Sequence, residues 1–379
     1  MSPPTERADV TVLRPTVVEV SLERLAENFR AIQAAVAPAA VMPIVKANAY
    51  GHGLVPVARH LVGLGARSLG VAFLEEAVAL REAGIAVPIL VMGGILGDQI
   101  PIFLRHGLTL TASSVDKLGQ IDEAARTLGV RARVHLKIDT GMERIGVHYY
   151  SADRLLERAA DCRHTEVEGI YSHFANADAA DLASARRQLD RFLGVLDWYT
   201  RHGARPPVRH MANSGAILQL PESYLDLVRP GIVLYGVYPS AEVRHTIAVR
   251  PALSWRSRVV YFKVVKPGHP VSYGSTWQSD HQVRLVTVPV GYGDGYFRAL
   301  SNTAQVVIHG KRYPVVGRVC MDQIMVNLEW DSAYNGDEVV LLGGEGEARI
   351  TCEDLAGWAG TIPYEVLTNI NTRVPRIYV

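Results

Sequence analysis

The sequence predicts a two-part α/β protein: an N-terminal (β/α)8 barrel over residues 11–240, then a mostly antiparallel β domain over 241–379. Three observations carry this. Short apolar runs alternate with helix-period stretches through the first two thirds of the chain, as parallel β/α units do. Eight such runs are complete by Gly236, which fits a barrel of about 250 residues; a doubly wound open sheet is the alternative. After about Ser240 the helical period gives way to β-rich runs divided by Gly, Pro, Asn and Asp.

Taken in order, residues 1–10 are polar, lack an apolar core segment, and are expected to form a loose tail rather than a signal peptide. "TVVEVSLERLAENFRAIQAAV" reads as a short strand, able to join the β domain, then Ser21 as a cap and a helix. The barrel strands are "AVMPIVK", "SLGVAF", "PILVMG", "LTLTAS", "ARVHLKID", "VEGIYSHF", "VRHMANS" and "LDLVRPGIVLYG". "EEAVALREAG", "SSVDKLGQIDEAARTLG" and "DLASARRQLDRFLGVLDWYTRHG" are helices between them. "ALSWRSRVVYFKVV", "VRLVTVPVGYG", "AQVVIHGKRYPVVGR", "QIMVNLEW" and "DEVVLLGG" are the later strands, with one helix at "CEDLAGWAG".

Composition narrows the function. Formal net charge is +1, from 39 basic and 38 acidic residues, so no electrostatic footprint for nucleic acid is present. Three scattered cysteines suit reduced thiols in a cytoplasmic protein, not a disulfide framework or a zinc knuckle. The longest apolar stretch is broken by prolines and falls short of the ~20 residues a membrane helix needs. There is no HExxH motif and no Cys/His cluster, so no metal is expected, and no Gly-x-Ser-x-Gly elbow is present. "GYGDGY" lacks dinucleotide spacing and reads as a turn.

In a (β/α)8 barrel, chemistry sits at the C-terminal strand ends. Those ends carry Lys46, Lys137, Asp139, Arg144, His173, Asn213, Ser214 and Arg229. The set is rich in nitrogen bases and poor in carboxylates, which argues against a glycosidase pair. A lysine at the barrel mouth loses basicity by desolvation and can form a Schiff base with a carbonyl, of a substrate or of pyridoxal phosphate. Ser214 and the amides around Gly231 and Ile232 lie where barrels place phosphate donors. Gly231 has no Cβ to hold a phosphate away. By residues alone, Lys46 as a solvated rim charge, His173 as a core histidine and Lys137 as an ion-pair partner of Asp139 remain open.

The chain resembles the alanine racemases, the fold-type III pyridoxal-phosphate enzymes, from about Val17 to Tyr378. The resemblance is carried, in family order, by "VKANAYGHG", "KIDTGMERIG", "YSHFANAD", "ANSGA", "VRPGIVLYG", "VSYGSTW", "VGYGDGYFR", "GRVCMDQIMV" and "IPYE". It implies interconversion of L- and D-alanine by two bases. Lys46 is the cofactor-linked lysine and the base on the D-face, and Tyr273 is the opposite base, arriving from the partner subunit of a homodimer. A tyrosine of ordinary pKa, about 10, is a poor base at neutral pH. The resemblance gives Tyr273 help from Arg144 and from a hydrogen-bond chain through His173 to Arg229.

Arg229 faces the pyridine nitrogen in the family and, keeping its proton, weakens the electron sink. Tyr50, Ser214, Gly231, Ile232 and Tyr364 match the phosphate cradle, and Asn213 joins the cofactor set. Arg144 and the Met321 backbone match the substrate-carboxylate site. Lys137 matches a lysine often carbamylated. Asp178, Tyr292, Arg298 and Arg318 match the entryway. D-Alanine supply for the cell wall is the family's usual use. A serine or broad-specificity racemase is the alternative of the same family. A decarboxylase would set an acid against the ring nitrogen, where this chain has Arg229. A non-catalytic cofactor carrier would lack the β domain.

Overall fold

The computed structural model describes residues 14–344 and 348–379; the expected tail at 1–10 lies outside them. These described residues divide into two compact units, one formed by Leu22–Ala252 and the other by the described residues from Leu253 on together with those before Leu22.

The strand β1 (Val17–Val20) belongs to the second unit. The first unit then runs α1 (Leu22–Val36), β2 (Ala40–Val41), a short turn α2 (Lys46–Tyr50), α3 (Leu54–Gly63), β3 (Leu69–Val71), α4 (Leu74–Glu82), β4 (Ile89–Val91), α5 (Ile100–Arg105), β5 (Thr109–Ala112) and α6 (Val115–Leu128). It continues with β6 (Ala132–Asp139), β7 (Val147–His148), α7 (Ala152–Asp161), β8 (Thr165–Tyr171), α8 (Ala183–Arg201), β9 (Val208–His210), α9 (Ser214–Gln219) and β10 (Leu227–Val228).

Eight of these strands pair in parallel in the order β2-β10-β9-β8-β6-β5-β4-β3, and β7 pairs beside β6. The ring closes where Ile44, beyond β2, bridges Gly70 of β3. Every residue of β3, β4 and β5 is buried, as expected of strands with side chains inside and helices outside. α1 shows the matching pattern on one face, burying Leu25, Phe29, Ile32 and Val36. Each such side chain contributes about 1.5–3 kcal/mol of burial.

Two runs expected as long strands are shorter. "AVMPIVK" is strand only at its start, and "LDLVRPGIVLYG" only at Leu227–Val228. Past those ends the regular strand stops but the backbone stays bonded to its neighbours, Met42 N and Ile44 N donating to Val228 O and Pro230 O, and Val45 N to Gly70 O.

The second unit holds β11 (Leu253–Arg258), β12 (Tyr261–Val265), β13 (Val283–Val288), β14 (Gln305–Ile308), β15 (Lys311–Val316), β16 (Ile324–Asn327), β17 (Glu338–Leu342), α10 (Cys352–Ala359), α11 (Pro363–Asn369) and β18 (Arg376–Tyr378). Its nine-stranded sheet runs β12-β13-β16-β15-β14-β17-β11-β1-β18. All its pairs are antiparallel except β1 with β18. β14 and β15 form a hairpin through His309 and Gly310, both at positive φ, the turn whose twist matches the strands.

Asp294, fully buried, ties this unit's loops together. Its carboxylate accepts from Arg14 at 2.7 Å on both oxygens, from Arg373 Nε at 2.6 Å and from the Gly291 amide at 3.0 Å. Burial alone would raise its pKa; the bonds from Arg14, Arg373 and Gly291 hold it below the usual carboxylate range.

Candidate active site

Lys46 begins a backbone turn of rare shape. Ala47, Asn48, Ala49 and Tyr50 have φ of 53°, 55°, 52° and 52°. Left-handed L-residues cost roughly 1–2 kcal/mol each and normally occur singly; four in a row store strain that surrounding bonds must offset. Gly51 donates to Ala47 O at 3.0 Å and Gly53 to Asn48 O at 2.8 Å. Asn48 Oδ1 accepts from Leu54 N at 2.8 Å, opening α3. Glu76 Oε1 accepts from Ala47 N at 2.6 Å. The turn aims Lys46 and Tyr50 from one short segment.

The basicity of Lys46 is lowered by burial first, then by Arg144 and Arg229, against the upward pull of Glu76. A fraction of neutral amine is thereby available nearer neutral pH than for an exposed lysine.

Tyr50 stacks on Tyr235 with ring centroids 4.9 Å apart, and Tyr235 donates to Ile44 O at 2.9 Å. Ser214, first residue of α9, accepts from Gly231 N at 3.0 Å and Val233 N at 3.4 Å. Asn213 caps the same helix, accepting from Ala216 N at 3.1 Å. A Cβ on Gly231 would stand 2.4 Å from the Tyr50 hydroxyl and 3.6 Å from Ser214 Oγ. Tyr50, Ser214, Gly231 and the buried Ile232 therefore lie close together at the barrel mouth, with the Tyr50 hydroxyl and Ser214 Oγ beside the bare Cα of Gly231. Gly215 is equally constrained, since its Cβ would meet Ala177 O at 2.6 Å.

Arg229, 2 % exposed, is fixed on every side. It donates to His210 Nδ1 at 2.7 Å, Ser172 O at 2.8 Å, Met211 O at 3.2 Å and His173 Nδ1 at 3.2 Å. Arginine only donates, so His210 Nδ1 accepts; His210 Nε2 then carries the proton and donates to His135 Nδ1 at 2.7 Å. Burial, reinforced by Arg229, holds His210 and His173 well below the usual histidine range and brings His135 down to about 3. All three are neutral near pH 7. Arg229 itself is lowered by burial to about 10 and still keeps its charge there. Tyr171 lies parallel to His210 at 4.8 Å and bonds Thr111 at 2.9 Å.

Lys137 is buried, with its amine 3.2 Å from Ile138 O and 4.9 Å above the Tyr171 ring. Burial and then Arg229 lower it to about 7, against the pull of Asp139. Asp139 does not bond the amine. Its carboxylate accepts from Gly141, Met142 and Arg144 amides at 2.8, 2.9 and 3.2 Å, and so shapes the loop that carries the exposed Arg144. Asp178 stands half-buried, its carbonyl accepting from Ser240 at 2.5 Å.

In the second unit Tyr273 is 71 % exposed on a tight loop. Ser272, Gly274 and Ser275 have positive φ, and Ser272 Oγ donates to Arg318 O at 2.6 Å. Arg318 also packs against Gly274. Tyr273 lines a cleft of about 780 Å³ with Lys263, His269, Ser272 and Gln323. Tyr292 donates its amide to Cys320 O at 3.0 Å, and Gly293 to Met321 O at 2.9 Å. A Cβ on Gly291 would come within 2.4 Å of both carbonyls, so "GYGDG" and "CMD" lie backbone to backbone. Exposed Arg298 follows on the same stretch, and Tyr364 stands half-buried at the start of α11.

Sequence reasoning assigned no role to Glu76, His135, His210, Tyr235 or Asp294. His210 ends β9, so its position was the one signal available; the others are defined by partners far along the chain. Among the described residues no cluster of His, Cys, Asp and Glu could hold a metal ion, and no helix is long and apolar enough to cross a membrane.

The family model of the alanine racemase N-terminal domain matches residues 20–239, and that of the C-terminal domain matches 252–378. Alanine racemase from Carboxydothermus hydrogenoformans is 46% identical over 97% of this chain and 100% of its own. The solved alanine racemase of Clostridium difficile 630 superposes with a TM-score of 0.93 at 37% identity, over 97% of this chain and 96% of that one. One from Bartonella henselae, described with covalently bound pyridoxal phosphate, has a TM-score of 0.87 at 29% identity, over 96% and 99% of the two chains. With both domains matched in order along nearly its whole length, this chain belongs to the alanine racemase family.

Proposed function

We propose that this chain interconverts L- and D-alanine with pyridoxal phosphate, by a two-base mechanism in a cytoplasmic homodimer whose sites are shared between subunits, and supplies D-alanine for the cell wall. One observation carries the reading: at a single barrel mouth stand a lysine of lowered basicity, the hydroxyls of Tyr50 and Ser214 gathered at the bare Cα of Gly231, and a buried arginine that can only donate.

Those residues fit the cofactor. Lys46 would hold its aldehyde carbon covalently, and Tyr50, Ser214, Gly231, Ile232 and Tyr364 its phosphate, with Asn213 holding the start of α9 in place. Arg229 would donate to the ring nitrogen. When bound, pyridoxal phosphate supplies an electron sink for the negative charge that develops at Cα. Arg229 leaves that sink modest, because it does not hand a proton to the ring.

The rest is the chain's own work. Arg144 and the Met321 amide hold the substrate carboxylate. Lys46 takes or returns the Cα proton on the D-face, and Tyr273 of the other subunit does so on the L-face. Each turnover removes one proton and returns one, so no oxidant or reductant is needed.

Lys137 is proposed as a carbamate: its neutral amine adds CO2 and releases a proton, giving an anion that orients Arg144. With a pKa of about 7 the reactive amine is plentiful from neutral pH upward. A CO2 adduct on Lys137 in the native mass, lost on acidification, is expected; its absence, with activity indifferent to bicarbonate, removes the carbamate.

The function is tested by incubating the purified protein with L-alanine and with L-serine and resolving the products on a chiral column. D-Alanine is the expected product. D-Serine at a comparable rate would widen the substrate to the broad-specificity alternative, and CO2 release without D-product would replace racemisation by decarboxylation.

Gly231→Ala tests the cradle separately. The added methyl meets the Tyr50 hydroxyl, a buried atom on a ring pinned by Tyr235. Relief of that overlap costs roughly 1–3 kcal/mol. Cofactor affinity is expected to fall roughly tenfold to hundredfold, read by visible absorbance during dialysis, and unchanged affinity would move the phosphate elsewhere.

A further inference from the structure

The left-handed turn after Lys46 has internal bonds at its far end but none that fix its first amide. Ala47 N donates instead to Glu76, from the first turn of α4. The second oxygen of the same carboxylate accepts from Ala72 N at 2.9 Å and Phe73 N at 3.2 Å, at the mouth of β3. One side chain thus joins the peptide next to Lys46 to the end of the neighbouring barrel strand. Glu76 is half-buried, and its carboxylate has three amide donors around it.

A plain reading exists. A glutamate at the third position of a helix commonly accepts from the amide that precedes it, and the Phe73 bond is of that kind. The Ala47 bond is not. It crosses to another β/α unit and lands on a segment whose four left-handed residues have easier conformations open to them.

We infer that Glu76 is a positioning residue for Lys46: by bonding Ala47 N together with Ala72 N and Phe73 N, it fixes the direction in which the Lys46 side chain leaves the barrel wall. The inference rests on Lys46 being the reacting amine. Glu76 also supplies a negative charge that opposes the lowering of Lys46 by burial, Arg144 and Arg229, so the clamp sits where its charge is felt.

Two variants test it in the cofactor-loaded protein. In Glu76→Ala the Ala47 amide loses its acceptor, and kcat is expected to fall roughly tenfold to hundredfold, as small misplacements of a reacting group do. KM for alanine should change little, since Arg144 and Met321 are untouched. Hydrogen exchange of residues 47–53 should rise well above its value in the parent protein, while that of β6 and α8 stays as it was. If Glu76→Ala does not fold, Glu76→Gln serves. Its single carbonyl can satisfy Ala47 or the Ala72–Phe73 pair but not both, and a smaller fall in kcat with faster exchange at 47–53 is expected.

Faster exchange confined to α4, with kcat unchanged, would reduce Glu76 to a helix cap and overturn the inference. A loosened 47–53 segment with unchanged kcat would overturn it too. If Lys46→Ala then also kept full turnover, the fault would lie in the role given to Lys46 and not in the clamp.

Discussion

Replacing Lys46 by alanine is expected to lower turnover by at least about 10³-fold while leaving the barrel folded, the loss anticipated when a covalent anchor and a general base go together. The side chain lies at the barrel mouth, and its basicity is set down by burial, then by Arg144 and Arg229. A more informative variant is Lys46→Arg. Arginine keeps the positive charge but does not yield its proton, so it can neither link to a carbonyl nor act as a base. Both variants retain Tyr50, Ser214 and Gly231, so each should still bind pyridoxal phosphate, now without a linkage that borohydride can fix to the chain. Parent protein reduced with borohydride should carry the cofactor on the peptide containing Lys46. Wild-type turnover in Lys46→Ala would remove both assigned roles at once.

The barrel was legible because its strands are buried on both sides and its helices are amphipathic. Short apolar runs such as "LTLTA" and the one-sided pattern of α1 are local signals of non-local packing. The candidate site was legible in part by position: Lys46, Lys137, His173, Ser214 and Arg229 all fall at or just past strand ends. What the sequence hid lies in the backbone. "AVMPIVK" has the composition of a strand, yet its chain turns left-handed after Lys46, and no propensity predicts four non-glycine residues at positive φ. The first amide of that turn is met by Glu76, about thirty residues on. Asp294 is similar. Inside "GYGDGY" it looks like a turn residue, and only Arg14 and Arg373, from opposite ends of the chain, show it to be the knot of the second unit. His210 and His135 read as strand residues until Arg229 fixes which ring nitrogen carries the proton. Residues marked by their place at a strand end were readable; those marked only by a partner far along the chain were not.

Tyr273→Phe should cost roughly 10²–10⁴-fold in racemisation, the range for loss of a positioned acid–base group, with cofactor binding intact. The ring is exposed on its loop and bears on no core, so folding should not suffer. The variant should also be lopsided. Lys46 still works one face, so D-alanine should exchange its α-proton with deuterium oxide while L-alanine exchanges little. Equal exchange of both enantiomers would mean that one base serves both faces and would sink the pair. The two defects together answer whether the site is shared. If Lys46 and Tyr273 of one site come from different subunits, a mixed dimer of Lys46→Ala and Tyr273→Phe chains gathers both defects in one site and leaves the other whole. Two inactive proteins, dissociated and reassociated together, would then regain activity. If each chain instead supplied both bases to its own site, every site in the mixture would carry one defect and mixing would restore nothing. The same mixture without dissociation is the control, because exchange of subunits, and no change in either chain, is what the recovery requires.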